Sequence, residues 1–200
     1  MSHTTTGTQY DKGSFTVDAP IRSTAAPALT GTVAVGAKVT AGNGSWSVTP
    51  TSYTYQWKAN GVAIPGATGA GYTLPASALG KKITVTVTAH RTGHLSGSAT
   101  TTAVAVAYGY AATATRAPYV TGTVKVGRTL TLNRGTWTQA PTSYGYQWYA
   151  NGKPISGATR ATLTLTKAQR GMKITVRVNA YRPAHYAGVA WTPSTGAVAA

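Results

Sequence analysis

Apolar and polar side chains alternate at a period of two in several stretches of the chain. Tyr53, Tyr55 and Trp57 alternate with Thr54, Gln56 and Lys58, and Tyr144, Tyr146 and Trp148 alternate with Gly145, Gln147 and Tyr149. That period puts one set of side chains on one face of a β-strand, so each stretch predicts a strand burying a tryptophan. The Asn-Gly that follows each, Asn60-Gly61 and Asn151-Gly152, suits the positive φ angles of a tight hairpin turn. Ile83, Val85, Val87 and Ala89 alternate with threonines, and Ile174, Val176, Val178 and Ala180 alternate with Lys173, Thr175, Arg177 and Asn179. Shorter β-prone runs stand at 30–36, 38–40, 72–74 and 99–107, broken by Gly and Pro. With no helical periodicity, this spacing argues for an all-β antiparallel sandwich.

The pattern occurs twice. Trp57 recurs as Trp148, 91 positions on, and the same offset relates Gly31 to Gly122, Trp46 to Trp137, Gly80 to Gly171 and His94 to His185. A gapless offset from about residue 27 to about residue 97 identifies a duplicated unit. The expected organisation is an N-terminal arm (1–26), a first domain (27–107), a linker with limited hinge motion (108–117) and a second domain (118–200). Tyr55, Trp57, Tyr146 and Trp148 are the expected core. Each unit is near the smallest size at which one core carries a domain without disulfides or metal.

Charge changes the picture next. The chain has 18 Lys+Arg against 2 Asp+Glu, a formal net charge of +16. Both acids, Asp11 and Asp18, precede the repeats, so neither domain contains a carboxylate side chain. The second unit is the more basic, with Lys125, Arg128, Arg134, Lys153, Arg160, Lys167, Arg170, Lys173, Arg177 and Arg182 against Lys38, Lys58, Lys81, Lys82 and Arg91 in the first. A field of one sign steers a protein towards an anionic partner, and salt weakens that attraction. Cysteine is absent, which removes disulfide and thiolate chemistry. The N-terminus lacks a basic start followed by an apolar run, so it does not read as a secretory signal, and no stretch approaches a membrane span.

The arm is rich in Thr, Ser and Gly, the composition of a disordered tail, apart from a β-prone patch at 14–17 that holds the chain's one phenylalanine. Phe15 and Val17 are therefore the expected partner-binding residues, adding a short strand to the edge of a neighbouring sheet.

The motifs Thr121-Gly-Thr-Val-Lys-Val-Gly127, Gly135-Thr-Trp137, Tyr146-Gln-Trp148, Asn151-Gly152, Ile155-Ser-Gly-Ala-Thr159 and Gly171-Met-Lys-Ile-Thr-Val176 resemble bacterial immunoglobulin-like repeats. The resemblance implies two tandem immunoglobulin-like β-sandwiches behind an extended arm. It also implies the roles of such repeats in actinobacterial surface proteins and in virions of tailed phages, as spacers, decorations or adhesive units. Two departures stand out. Ala78 and Gln169 occupy positions where relatives often carry an acid, and the cysteine pair of antibody-type domains is missing.

Catalysis is not expected. Paired-carboxylate hydrolysis and a Ser-His-Asp triad lack their acids, a cysteine nucleophile is unavailable, and no phosphate-binding Gly-rich loop occurs. His90 and His94 stand four apart on or just after a strand, where they do not converge on a metal. No cofactor is expected. Tyr149, Lys173 and Arg177 point away from the Trp face on neighbouring strands and form the expected anion-binding surface. Nucleic acid ranks third among partners, because nothing marks a fold that reads it. The leading expectation is a phage capsid decoration or minor capsid protein, exposed on the virion surface. Its arm would dock on the shell or another virion protein, with or without self-association. The second is a bacterial cell-surface adhesion module that binds anionic cell-wall polymer or carbohydrate. A role in a membrane is not expected.

Overall fold

The computed structural model describes residues 19–200; Phe15, Val17 and the rest of the 14–17 patch lie outside them. In the first unit the strands are β1 (Ser23–Ala25), β2 (Leu29–Thr30), β3 (Lys38–Ala41), β4 (Ser45–Trp46), β5 (Ser52–Ala59), β6 (Val62–Ala63), β7 (Gly71–Thr73), β8 (Lys82–His90), β9 (Gly97–Thr100) and β10 (Val104–Ala105). The second unit follows with β11 (Ala114–Arg116), β12 (Tyr119–Thr121), β13 (Thr129–Asn133), β14 (Thr136–Trp137), β15 (Ser143–Ala150), β16 (Lys153–Pro154), β17 (Thr162–Thr164), β18 (Ile174–Tyr181) and β19 (Gly188–Trp191). A short 3₁₀ helix precedes β8 and another precedes β18.

Each unit packs two main sheets, with a two-stranded ribbon beside them, β1-β4 in the first and β11-β14 in the second. One has the order β2-β3-β7 in the first unit and β12-β13-β17 in the second; the other runs β10-β8-β5-β6, with β9 on the same edge of β8, and β16-β15-β18-β19. The chain after β2 crosses over to pair in parallel with the last strand, through Ala34 and Ala107, and the second unit repeats this through Lys125 and Ala199. Three strands facing a four-position sheet in this order, with a tryptophan on the central strand, define an immunoglobulin-like sandwich.

The alternation sorts the faces. Trp57, Ile83, Val85 and Val87 are fully buried with Val39 and Leu74, as are Trp148, Ile174, Val176 and Val178 with Leu130. Tyr55 and Tyr146 sit at the margin, half-buried against these clusters. Buried indoles need acceptors, and both have one: Trp57 Nε1 donates to Gly69 O at 2.9 Å and Trp148 Nε1 to Arg160 O at 2.8 Å. Asn60 and Asn151 adopt φ of 49° and 45°. Their side chains also reach across the sheet, where Oδ1 accepts from the backbone N–H of Lys82 and Lys173, each at 2.8 Å.

The paired structure extends further towards the N-terminus than the duplicated stretch suggests. Residues 20–25, expected in the arm, belong to the first unit: Ile21 is buried, its N–H donates to Leu95 O at 2.9 Å, and β1 pairs with β4. In the second unit Ala112 is likewise buried and β11 pairs with β14, so residues 114–116 of the expected linker are strand. The segment between is tied down as well. Gly109 N–H donates to Ala184 O, Tyr186 N–H donates to Gly109 O, and the rings of Tyr108 and Tyr186 lie 5.2 Å apart. The expected hinge is thus clasped by the loop at 182–186 of the second unit.

That loop packs on the end of the first unit lined by Val35, Gly36, Leu74, Pro75 and Ala76. The matching end of the second unit carries Arg128, Thr166 and Lys167 where the first has Ala37, Pro75 and Ala76. There Gln169 closes a capping box with Thr166, a neutral side chain in the place of the absent acid.

Candidate functional site

The two four-position sheets each turn one face to the core and one outward, and duplication makes the outward faces comparable position by position. In the first unit the middle of that face is filled by hydroxyl pairs, with Lys58 and Lys82 at one end, at the positions of Tyr149 and Lys173. Thr86 Oγ1 and Thr100 Oγ1 lie 2.9 Å apart, Thr88 Oγ1 and Ser98 Oγ 2.8 Å apart, and the His90 ring bridges Thr54 and Ser96. His90 is held in this ladder, whereas His94 contacts Thr92 O in the next loop. The two histidines share no partner.

The second unit places different chemistry on the same frame. Arg177 replaces Thr86, Asn179 replaces Thr88, Tyr181 replaces His90, Val189 replaces Ser98 and Trp191 replaces Thr100. Gln147, Arg177 and Trp191 form one cross-strand row, and Tyr149 pairs with Thr175 in the next. Tyr149, Arg177 and Lys173 therefore share the outer face, with Lys173 exposed at its end beside the Asn151 turn. The Tyr149 ring packs on Trp191 at 4.8 Å and 54°, not on Arg177. The described Arg–aromatic contacts lie elsewhere, Arg116 over Tyr119 and Arg134 over Tyr144.

Trp191 is the residue that sequence reasoning missed. It is 48% exposed at the edge of the sheet. Trp46, Trp57, Trp137 and Trp148 each donate their indole N–H to a backbone carbonyl, while that of Trp191 has no acceptor among the described residues. Tyr181 is also exposed, and its ring lies over Gly145, where a Cβ would meet it at 3.2 Å. An aromatic ring covering a strand glycine shields backbone that a side chain would otherwise cover. Gln147 serves the fold rather than the face. Its amide donates to Trp148 O at 2.9 Å and Ile155 O at 2.8 Å, pinning β16 to β15. Gln56 does the same in the first unit.

The face can stack rings, donate hydrogen bonds and attract anions. Its exposed aromatics sit on a rigid strand pair, and among the described residues no carboxylate side chain competes for Arg177 or Lys173. The concave places elsewhere lie beside the hairpins, along β17 and at the unit junction, lined by small and apolar residues with one or two basic groups each. The described residues hold no group of three His, Cys, Asp or Glu side chains arranged for a metal ion.

By strand order and core, the protein is a tandem pair of immunoglobulin-like β-sandwiches. No family model matches the chain, and no curated protein matches its sequence. Among solved structures it is similar to murine CEACAM1b, at 12% identity over 86% of this chain and 98% of that one, with a TM-score of 0.32. It is also similar to the amphioxus IgVJ-C2 molecule, at 15% identity over 76% and 91%, TM-score 0.34, and to the tandem Ig repeats of Dlar, at 14% over 91% and 98%, TM-score 0.26.

Proposed function

We propose that the chain is a non-catalytic attachment protein. Its second domain holds an anionic surface or polymer through the outer face of β15-β18-β19, and its first domain acts as a spacer. One observation carries this reading: the rows that hold hydroxyl pairs in the first domain hold Arg177, Asn179, Val189 and Trp191 in the second, flanked by Tyr149 in place of Lys58 and by the exposed Tyr181. A solvated, purely structural face has no need to replace paired hydroxyls by exposed rings and an arginine.

Neutralising Lys173 and Arg177 together is expected to weaken binding to an anionic surface on the order of thirtyfold, at about 1 kcal/mol per cation. Neutralising Lys81 and Lys82 should change it little. Added salt should weaken the parent protein in parallel. Binding measured on immobilised anionic polymer that ignores both salt and the pair Lys173/Arg177 contradicts the reading.

The setting we favour is a capsid decoration or minor capsid protein of a phage. Supporting it, the chain enters the first domain beside Leu95, in the loop between β8 and β9. The equivalent loop of the second domain faces the junction, so Pro20 and Ile21, near the first described residue, lie at the pole opposite the second domain. An anchor there and a binding face on the side of the second domain suit a projecting decoration. Deleting residues 1–18 is expected to leave melting unchanged yet abolish incorporation into particles, and Phe15→Ala to weaken it. Full occupancy by the truncated protein rules out the arm as anchor. The second setting, adhesion to anionic wall polymer or carbohydrate at a bacterial surface, draws on the aromatic–arginine face itself.

A further inference from the structure

We infer that the outer face of the second domain is the track of an acidic polysaccharide whose negative charges are spaced along neutral sugar rings. This rests on the attachment reading above and names its ligand. The outward side chains follow β18 at every second residue, the exposed Tyr181 and the half-buried Asn179, Arg177 and Thr175, a line of about 20 Å at the usual strand rise. Tyr181 stands at one end, over Gly145; Tyr149 faces Thr175 at the other, its ring packed on that of Trp191, which stands beside Arg177. The C–H face of a sugar ring packs on an aromatic ring, so the line offers a stacking position at each end.

Between them lie one cation and neutral groups. Arg177 presents a planar fork that pairs with a carboxylate through two parallel N–H donors. Asn179 and Thr175 flank it, and their side chains have no protein hydrogen-bond partner among the described residues, unlike Thr86, Thr88, Thr100 and Ser98 in the first domain. The indole N–H of Trp191 is likewise open. These donors and acceptors match sugar hydroxyls; in the first domain each hydroxyl pair already spends one donor and one acceptor within itself.

Single-stranded nucleic acid fits less well. It carries a charge on every nucleotide and is held by a cationic groove with rings on which successive bases stack. Here the cations are Arg177 on the line and Lys173 just beyond its end, and the Tyr149 and Trp191 rings are tilted by 54°, so they present no pair of parallel platforms.

The test is calorimetric titration of the full chain with a hyaluronan oligosaccharide, in which a carboxylate occurs on every second ring. The same sugar with its carboxylates reduced to alcohols and an oligothymidylate serve as comparisons. Binding of the acidic sugar is expected, with Trp191→Thr weakening it about tenfold or more, as loss of one stacking contact does. Arg177→Gln should abolish the preference for the acidic over the reduced sugar, and Arg177→Lys should restore part of it. Both sites are on the surface, and unchanged melting of the variants confirms an intact fold. Equal binding of acidic and reduced sugars by the parent overturns the role given to Arg177. Failure to bind the acidic sugar, or binding of oligothymidylate alone through Trp191 and Arg177, overturns the polysaccharide and leaves the attachment reading standing. Binding of every anion untouched by Trp191→Thr and Arg177→Gln overturns both.

Discussion

Trp148→Ala is expected to unfold the second domain and leave the first folded. The indole is fully buried and its N–H is satisfied by Arg160 O at 2.8 Å. Truncating such a side chain costs about 3–5 kcal/mol, against the roughly 5–15 kcal/mol that stabilises a small domain. The sheets pair only within each unit, so damage to one core does not break the ladder of the other. Differential scanning calorimetry of the variant should retain the transition of the first domain and lose that of the second. One full-size transition, barely shifted, contradicts this.

The second large effect is expected at two glycines that contain no unusual backbone angle. Gly97 and Gly188 are buried, and a Cβ on either would land on backbone: the Ile21 carbonyl for Gly97 and the Ala112 carbonyl for Gly188. Neither neighbour is the mobile end of a side chain, so the first strand must move away. Gly97→Ala should therefore strip Ile21 from its site, forfeiting about 1.5–3 kcal/mol of apolar burial and the hydrogen bond from Ile21 N–H to Leu95 O. Trypsin should then cut at Arg22, and at Arg116 in Gly188→Ala. Gly196→Ala, at a position with open space, serves as the neutral control. Resistance of Arg22 and Arg116 to cleavage in the two variants means the strands are not wedged in as described.

Both glycines mark where reading the sequence stopped short. Period-two alternation told which side of β5, β8, β15 and β18 faces inward, because that depends on each strand alone. It could not tell what lies across a strand. The run at 99–107 looked like one strand, yet it breaks at Thr101, whose Oγ1 accepts from Val85 N–H at 3.1 Å; Thr192 does the same for Val176 at 3.0 Å. A buried threonine that serves as a sheet acceptor resembles any other β-prone residue. The short strands at 23–25 and 114–116 are mostly exposed, with no alternation of apolar and polar residues, and Ile21 and Ala112 anchor them.

The site was half legible for a related reason. Tyr149, Lys173 and Arg177 share a face because their strands pair, which the fold class implied. Trp191 lay beyond the stretch used to establish the duplication. Carrying the same offset three residues further sets it against Thr100, and a tryptophan facing a threonine at an outward position was the available signal. The separation of the faces by chemistry, hydroxyl pairs in one copy and an arginine with exposed rings in the other, needed the hydrogen bonds themselves.

The claim that one face of one domain does the binding is tested most directly by nuclear magnetic resonance of the full chain, titrated with hyaluronan oligosaccharide at low salt. The account predicts shifts in the amides of Thr175, Arg177, Asn179 and Trp191 and in the Trp191 indole N–H. The indole signals of Trp46, Trp57, Trp137 and Trp148 and the amides of Thr84, Thr86 and Thr88 should stay in place. Shifts of equal size on both domains, or shifts that leave the Trp191 indole unmoved, would contradict it.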